Sequence, residues 1–508
     1  MLPTWWIAYT NSSSDGLPVN LFNSISKSGR SAPMPRIVIS CLAPLKPQEV
    51  RFLQVVRSVL TDHGYEFVLF SLFPYPELAD SILRMPSGVR NWERVYRFQE
   101  DQADQALPYL DQEMWLQRLK TVDAAPHGQS DCLPLLRNLA SVSWQLLHSL
   151  QPSVFVSWNP ADPTTGIMHQ MASRLGIPVS AFERGLLPGT FNIDPKVAGV
   201  HTSLVDRTWE DLCPPSKIET FQKTGESVRQ AFVSQDFNRW PQVVSDETIE
   251  YLQDKAIPSE PKVLVLGCFD TVCGISASDP EREQALPGYE SGYQLACMVS
   301  RKHHGTTVYK PHPHMRSYYA SYDTRGERNL VIGTGDITPY WEWADVVVSY
   351  GTTLEYVALA RDLPVVLAGR SSLLGKGIAY EALESDDLST QIRAAFRRED
   401  AQARRNRFLA FSGFLADEYL VQTDTEETRR SGAERWFSEL QRSALSVEPD
   451  KPLAEVRRQI LNSRKLKSVD LRQRIYSEVA KRPMLREMAQ MTIAMLNRLQ
   501  NLRLPSLK

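Results

Sequence analysis

The chain has 508 residues, 42% hydrophobic and 23% charged, with a formal net charge of -2. One hydrophobic core usually organises ~100–200 residues, so this length implies two domains with an appendage, and the composition excludes wholesale disorder. The near-neutral charge argues against a dedicated nucleic-acid protein, because phosphate affinity is built from clustered Lys and Arg.

The first 33 residues read as an N-terminal extension: MLPTWWIAYTNSSSDG has a short apolar patch, but neither a basic start nor the ~20-residue apolar run a spanning helix requires. Arg36-Ile-Val-Ile-Ser-Cys is then a β-branched strand, and the amphipathic stretch from Pro47 to His63 is a helix. Glu66-Phe-Val-Leu-Phe-Ser and Ser153-Val-Phe-Val-Ser-Trp give further strands, the latter leading into a helix around Gly166 to Leu175, and Gly176-Ile-Pro-Val-Ser resumes the sheet. Continuous apolar strands alternating with helices imply parallel pairing covered on both faces. Residues 34–225 are therefore expected to form one Rossmann-like domain.

A polar, proline-punctuated stretch over 226–260 reads as a linker. Lys262-Val-Leu-Val-Leu-Gly opens a second alternating series, which continues through a helix near Ser291 to Lys302, then Thr307-Val-Tyr-Lys, Leu330-Val-Ile, Val346-Val-Val-Ser and Pro364-Val-Val-Leu-Ala. This gives a second Rossmann-like domain over 261–385. Residues 386–445 turn helical, the pattern of a chain end that crosses back over a cleft. The last segment, 446–508, is a tail. From Lys451 onward it carries five Lys and nine Arg against three Glu and one Asp, a net +10, with Met484, Met488, Met491, Met495, Leu499 and Leu502 at helical spacing. That is a basic amphipathic helix, which either contacts an anionic membrane surface or packs on protein. The six scattered cysteines suit free thiols in a reducing, cytoplasmic setting, peripheral on the inner membrane if the tail attaches there. Cys268 and Cys273 lack a second pair, which argues against a metal centre.

Two clusters carry chemistry. Tyr309-Lys310-Pro311-His312-Pro313-His314 stands where a strand ends, and in an open parallel sheet ligands bind beyond the carboxyl ends of strands. Lys310 can present a positive charge to a phosphate, and His312, its backbone restricted by flanking prolines, can donate to that phosphate or protonate a leaving group. The plainer alternative is a histidine capping a strand. Ser349-Tyr350-Gly351-Thr352-Thr353-Leu354-Glu355 again directly follows an apolar strand. Ser349, Thr352 and Thr353 at a helix start suit a phosphate seat, beyond the single hydroxyl an N-cap needs. Glu355 either stabilises the first helical turn or reaches a ribose hydroxyl.

These motifs, together with Glu183-Arg-Gly-Leu-Leu-Pro-Gly-Thr, Gly267-Cys-Phe-Asp270, Pro364-Val-Val-Leu-Ala-Gly369 and Gly375-Lys-Gly377, make the chain resemble the β-Kdo transferases of capsule and lipopolysaccharide O-antigen synthesis over roughly residues 150–380. Relatives often carry Gln where Cys268 stands. The resemblance implies a GT-B fold of two facing Rossmann-like domains, a CMP-Kdo donor, a glycan or glycolipid acceptor, and retention of anomeric configuration by double displacement. It makes Asp270 the nucleophile, against the alternative of a turn aspartate. Glu183 becomes the general acid or base, against the alternative of a salt bridge to Arg184 or another cation. Arg184, Gly267 and Cys268 are drawn in as donor contacts beside Lys310, His312, Ser349, Thr352, Thr353 and Glu355. No Asp-x-Asp motif stands at a strand end, so metal independence and no cofactor are expected. Transfer of sialic acid or glycerol phosphate from a cytidine nucleotide is the alternative enzyme reading, and a non-catalytic capsule assembly or export factor the alternative outside enzymes.

Overall fold

The computed structural model describes residues 34–41, 45–71, 73, 75–84, 100–127, 132–187, 189–192, 194, 202–234, 260–270, 282–313, 315, 322, 324, 326–327 and 329–445. The tail, 446–508, the N-terminal extension, 1–33, Cys273 and His314 lie outside them.

Two parallel sheets organise these residues. The first has the order β3-β2-β1-β4-β5, from Ile82–Arg84, Glu66–Ser71, Arg36–Cys41, Val154–Ser157 and Val179–Ala181. The second has the order β10-β9-β8-β11-β12-β13, from Leu330–Ile332, Thr307–Lys310, Val263–Leu266, Val346–Ser349, Val365–Leu367 and Tyr380–Glu381. Both are the doubly wound α/β arrangement read from the sequence. Alternation explains why each strand is apolar throughout: Ile37 and Ile39 pack into one cluster while Val38 packs into another on the opposite face. In the same way Leu264 and Leu266 face away from Val263 and Val265.

Helix α1 (Pro47–Asp62) starts on a proline, with the Glu49 carboxylate accepting from the Lys46 N–H at 2.7 Å. Helix α2 (Ile218–Ser234) spans the expected end of the first domain at residue 225. Its buried Phe221, Val228 and Phe232 share a core with Leu264, Leu266 and Leu367, so this helix belongs with the second sheet and runs through the first part of the expected linker. Its polar exposed face hid the stripe. Residues 235–259 lie outside the described set.

At the other end, α3 (Ala401–Phe414) packs against α2 so closely that a Cβ on Gly225 would stand 1.8 Å from the Leu409 carbonyl oxygen, and one on Gly413 1.9 Å from that of Phe221. The chain then returns to the first sheet. Strand β14 (Leu420–Gln422) pairs antiparallel with β7 (Thr190–Asn192), and α4 (Glu426–Leu440) buries Trp436, Phe437 and Leu440 among Ile37, Ile39 and Phe52. Asp194, buried, joins the two passages: it accepts from Thr202 Oγ1 at 2.7 Å, Ser203 N–H at 2.7 Å and Tyr419 OH at 2.8 Å.

Candidate active site

Strand β8 is central in the second sheet, with β9 and β11 as neighbours. Val265 pairs with Tyr309 on one side and Val348 on the other, so the chain leaving β8 emerges between the ends of both. The motifs at 267–270, 310–312 and 349–355 are thereby brought to one edge.

Gly267 donates its N–H to the Lys310 carbonyl at 2.8 Å, and a Cβ there would lie 2.8 Å from Pro311 Cα and 3.1 Å from the His312 nitrogen. Only a glycine lets the two strand ends touch like this. Its part is therefore steric. Two residues on, the Phe269 ring lies parallel to His312, with centroids 5.5 Å apart and an interplanar angle of 3°. Lys310 is 6% exposed, and its stem passes Gly333 beyond β10, where a Cβ would come within 3.3 Å of Lys310 Cδ.

Asp270 is 5% exposed. Its Oδ2 accepts the Gly292 N–H at 3.2 Å, at the start of helix α5 (Gly292–Lys302), and its Oδ1 accepts the Tyr350 hydroxyl at 3.0 Å. Burial pushes the carboxyl up to about 6, against the pull of these two donors. Tyr350 is wholly buried, and its oxygen also accepts the Cys268 N–H at 2.9 Å. Cys268 itself is buried, and its backbone N–H makes this contact.

Beyond β11, Gly351 turns the chain at φ 103°, a region side-chain-bearing residues seldom enter. Glu355, 1% exposed, lies in the first turn of the short helix Leu354–Ala360. It accepts from Ser349 Oγ at 3.0 Å, from Ser371 Oγ, and from the backbone at Gly351 and Thr352. Burial pushes it up to about 7. Of the two readings for Glu355, this geometry favours holding the turn. Ser349 corrects an expectation: fully buried, it gives its hydroxyl to Glu355 rather than to an open seat. Thr352 Oγ1 accepts the Leu354 N–H at 3.4 Å, while Thr353 forms no side-chain cap. Both threonines are half-buried.

Glu183 and Arg184 belong to a different sheet. The parallel strand β5 ends at Ala181, and Glu183–Arg184 form β6 of a small antiparallel sheet, order β14-β7-β6. Arg184 is gripped by Glu49 of α1, Nε to Oε1 at 2.6 Å and Nη2 to Oε2 at 2.8 Å, with Trp158 beneath the guanidinium at 5.4 Å. That bidentate pair gives Arg184 a structural partner and ties α1 to β6. Residues the sequence reading missed are Tyr350, Gly292 and Ser371. Tyr350 stood inside a motif already singled out; the other two gave no local signal.

No family model and no curated protein matches the chain. Among solved structures, it is similar to a glycosyltransferase from Rickettsia africae at 11% identity and a TM-score of 0.30, covering 81% of this chain and 100% of that one. It is also similar to KpsC of Thermosulfurimonas dismutans: to the beta Kdo 2,4 transferase at 16% identity and a TM-score of 0.33, covering 51% and 79%, and to the beta Kdo 2,7 transferase at 16% and 0.27, covering 55% and 85%. At such identities and TM-scores nothing about activity passes from those proteins to this chain.

Proposed function

We propose that the chain is a glycosyltransferase that moves Kdo from CMP-Kdo to a surface-polysaccharide or glycolipid acceptor with retention. The observation that carries this reading is the meeting of Asp270 with the Lys310–His312 and Gly351–Glu355 segments at three adjacent strand ends. Asp270, fixed by two donors that favour its charged form, suits attack on an electron-poor anomeric carbon. Its oxygen forms a bond to that carbon as the bond to the CMP phosphate breaks, the electron pair leaving with the phosphate. Lys310 and His312 offset the charge that gathers there. An acceptor hydroxyl then displaces Asp270 from the opposite face, giving its proton to Glu183 and restoring both starting configuration and free carboxylate. The +10 tail supports contact with an anionic membrane that holds a lipid-linked acceptor.

Purified protein incubated with CMP-Kdo should release CMP, and mass spectrometry without acceptor should find the sugar on Asp270. Turnover of CMP-sialic acid or CDP-glycerol in place of CMP-Kdo would move the donor assignment, and an adduct on Glu183 would reverse the roles of the two acids.

A further inference from the structure

The hydroxyl of Tyr350 occupies a singular position. It accepts the Cys268 N–H at 2.9 Å and donates to Asp270 Oδ1 at 3.0 Å, so one oxygen bridges the backbone just before Asp270 to its carboxylate. It fits only because residue 292 is glycine: a Cβ there would lie 1.8 Å from the Tyr350 oxygen. A second glycine, Gly369, leaves room at the base of the ring, where a Cβ would come within 2.8 Å of Tyr350 Cβ. Space on two sides is thus kept open for this phenol.

We propose that Tyr350 is a positioning residue for Asp270, whose hydroxyl holds Oδ1 in one direction and stabilises the ionised carboxylate. The inference rests on the nucleophile reading of Asp270 for its catalytic meaning, but not for its electrostatics. Every element packed here contributes to the surroundings. From the ends of β8 and β11 come Cys268 and Tyr350, and from β9 comes Tyr309, which shares a hydrogen bond with Tyr350 and meets Tyr293 at a tilt and Tyr322 edge-on. The end of β9 also carries Lys310 and His312, and α5 offers the Gly292 N–H, with Glu290 just before the helix. Burial raises Asp270, whereas Gly292 and Tyr350 lower it. Removing the Tyr350 hydroxyl therefore removes one of two groups that favour the charged form.

The test compares wild type, Tyr350→Phe, Asp270→Asn and the double variant. Thermal melting across pH 4–8 without substrate gives, from each pair with and without Asp270, the pH at which that carboxyl ionises. In Tyr350→Phe this midpoint should rise by about one to two pH units, the worth of one hydrogen bond to a charged group. The acid limb of kcat/KM should move with it, while CMP affinity stays within a few-fold. An unmoved midpoint, whatever the loss in kcat, overturns the proposal and leaves Tyr350 as packing. If Tyr350→Phe does not fold, Gly292→Ala, which forces the hydroxyl away from Asp270, must raise the same midpoint or the proposal fails. Full activity of Asp270→Asn together with a shifted midpoint would sink the nucleophile reading and keep the positioning role; an inactive Asp270→Asn with no shift would do the reverse.

Discussion

Two buried carboxyls stand at neighbouring strand ends, and different partners hold them. Asp270 has one backbone N–H and one phenol, whereas Glu355 has two serines and two backbone groups. Asp270→Asn should abolish transfer while CMP binding, measured by calorimetry, changes only a few-fold, because the phosphate contacts survive. Lys310→Ala and His312→Ala should each weaken CMP binding by about 1.5–3 kcal/mol, the range for charge-assisted hydrogen bonds. Full affinity in both would put the nucleotide elsewhere. Glu355 makes a prediction about stability. Its carboxyl rises from 4.5 to about 7 on folding, so between those pH values the folded chain holds a proton that the unfolded chain has released. Stability contributed by this group is therefore present at low pH and falls as pH rises through that window. His169 and His303, both lowered to about 4 by burial, act oppositely, losing stability as pH falls below about 6.5. The difference in melting temperature between wild type and Glu355→Gln isolates the carboxyl, and it should shift in favour of the variant from pH 5 to 7. The residues Asp270, Lys310 and Glu355 were legible because each belongs to a motif at the end of an apolar strand. Their partners were not, since Gly292 is 22 residues and Tyr350 80 residues from Asp270, and only the fold makes them neighbours.

At the scale of elements, long buried strands were readable because apolar side chains filled both faces, and the helix at 292–302 announced itself by an amphipathic run. Short or disguised elements were not. β6 is two residues long and antiparallel, too short for any period to show. Helix α2 left little apolar signal because most of its surface is polar. Its contact with α3 depends on glycines whose value lies in absent atoms. Gly413→Ala would bring a methyl against the Phe221 carbonyl, and Gly225→Ala one against that of Leu409; each should cost about 1–3 kcal/mol or more by overpacking, read as a lower denaturation midpoint. Unchanged midpoints in both would mean the helices separate freely.

For the whole molecule, alternation of strands and helices sufficed to read two doubly wound halves, while the place where one half passes to the other needed three-dimensional contacts. Among the described residues no helix is long and apolar enough to cross a membrane. If the proposed contact of the basic tail with membranes holds, removing residues after Leu445 should abolish salt-sensitive pelleting with anionic vesicles and spare transfer to a soluble acceptor, since the site residues all precede it. Equal pelleting of the shortened protein would end the membrane reading.

The return of the chain to its first sheet has a thermodynamic consequence. Trp436 and Phe437, from the end of the described chain, fill the same core as Ile37 and Phe52, while Phe221 and Phe232, from before the second sheet, fill that sheet's core. Asp194 and Tyr419 knot the outgoing and returning passages at a single carboxylate. Neither half can then lose its core without pulling a helix or strand out of the other's reach. Two sheets built this way should melt as one cooperative unit, with calorimetric and van't Hoff enthalpies in agreement, and neither half expressed alone should reach a stable native state.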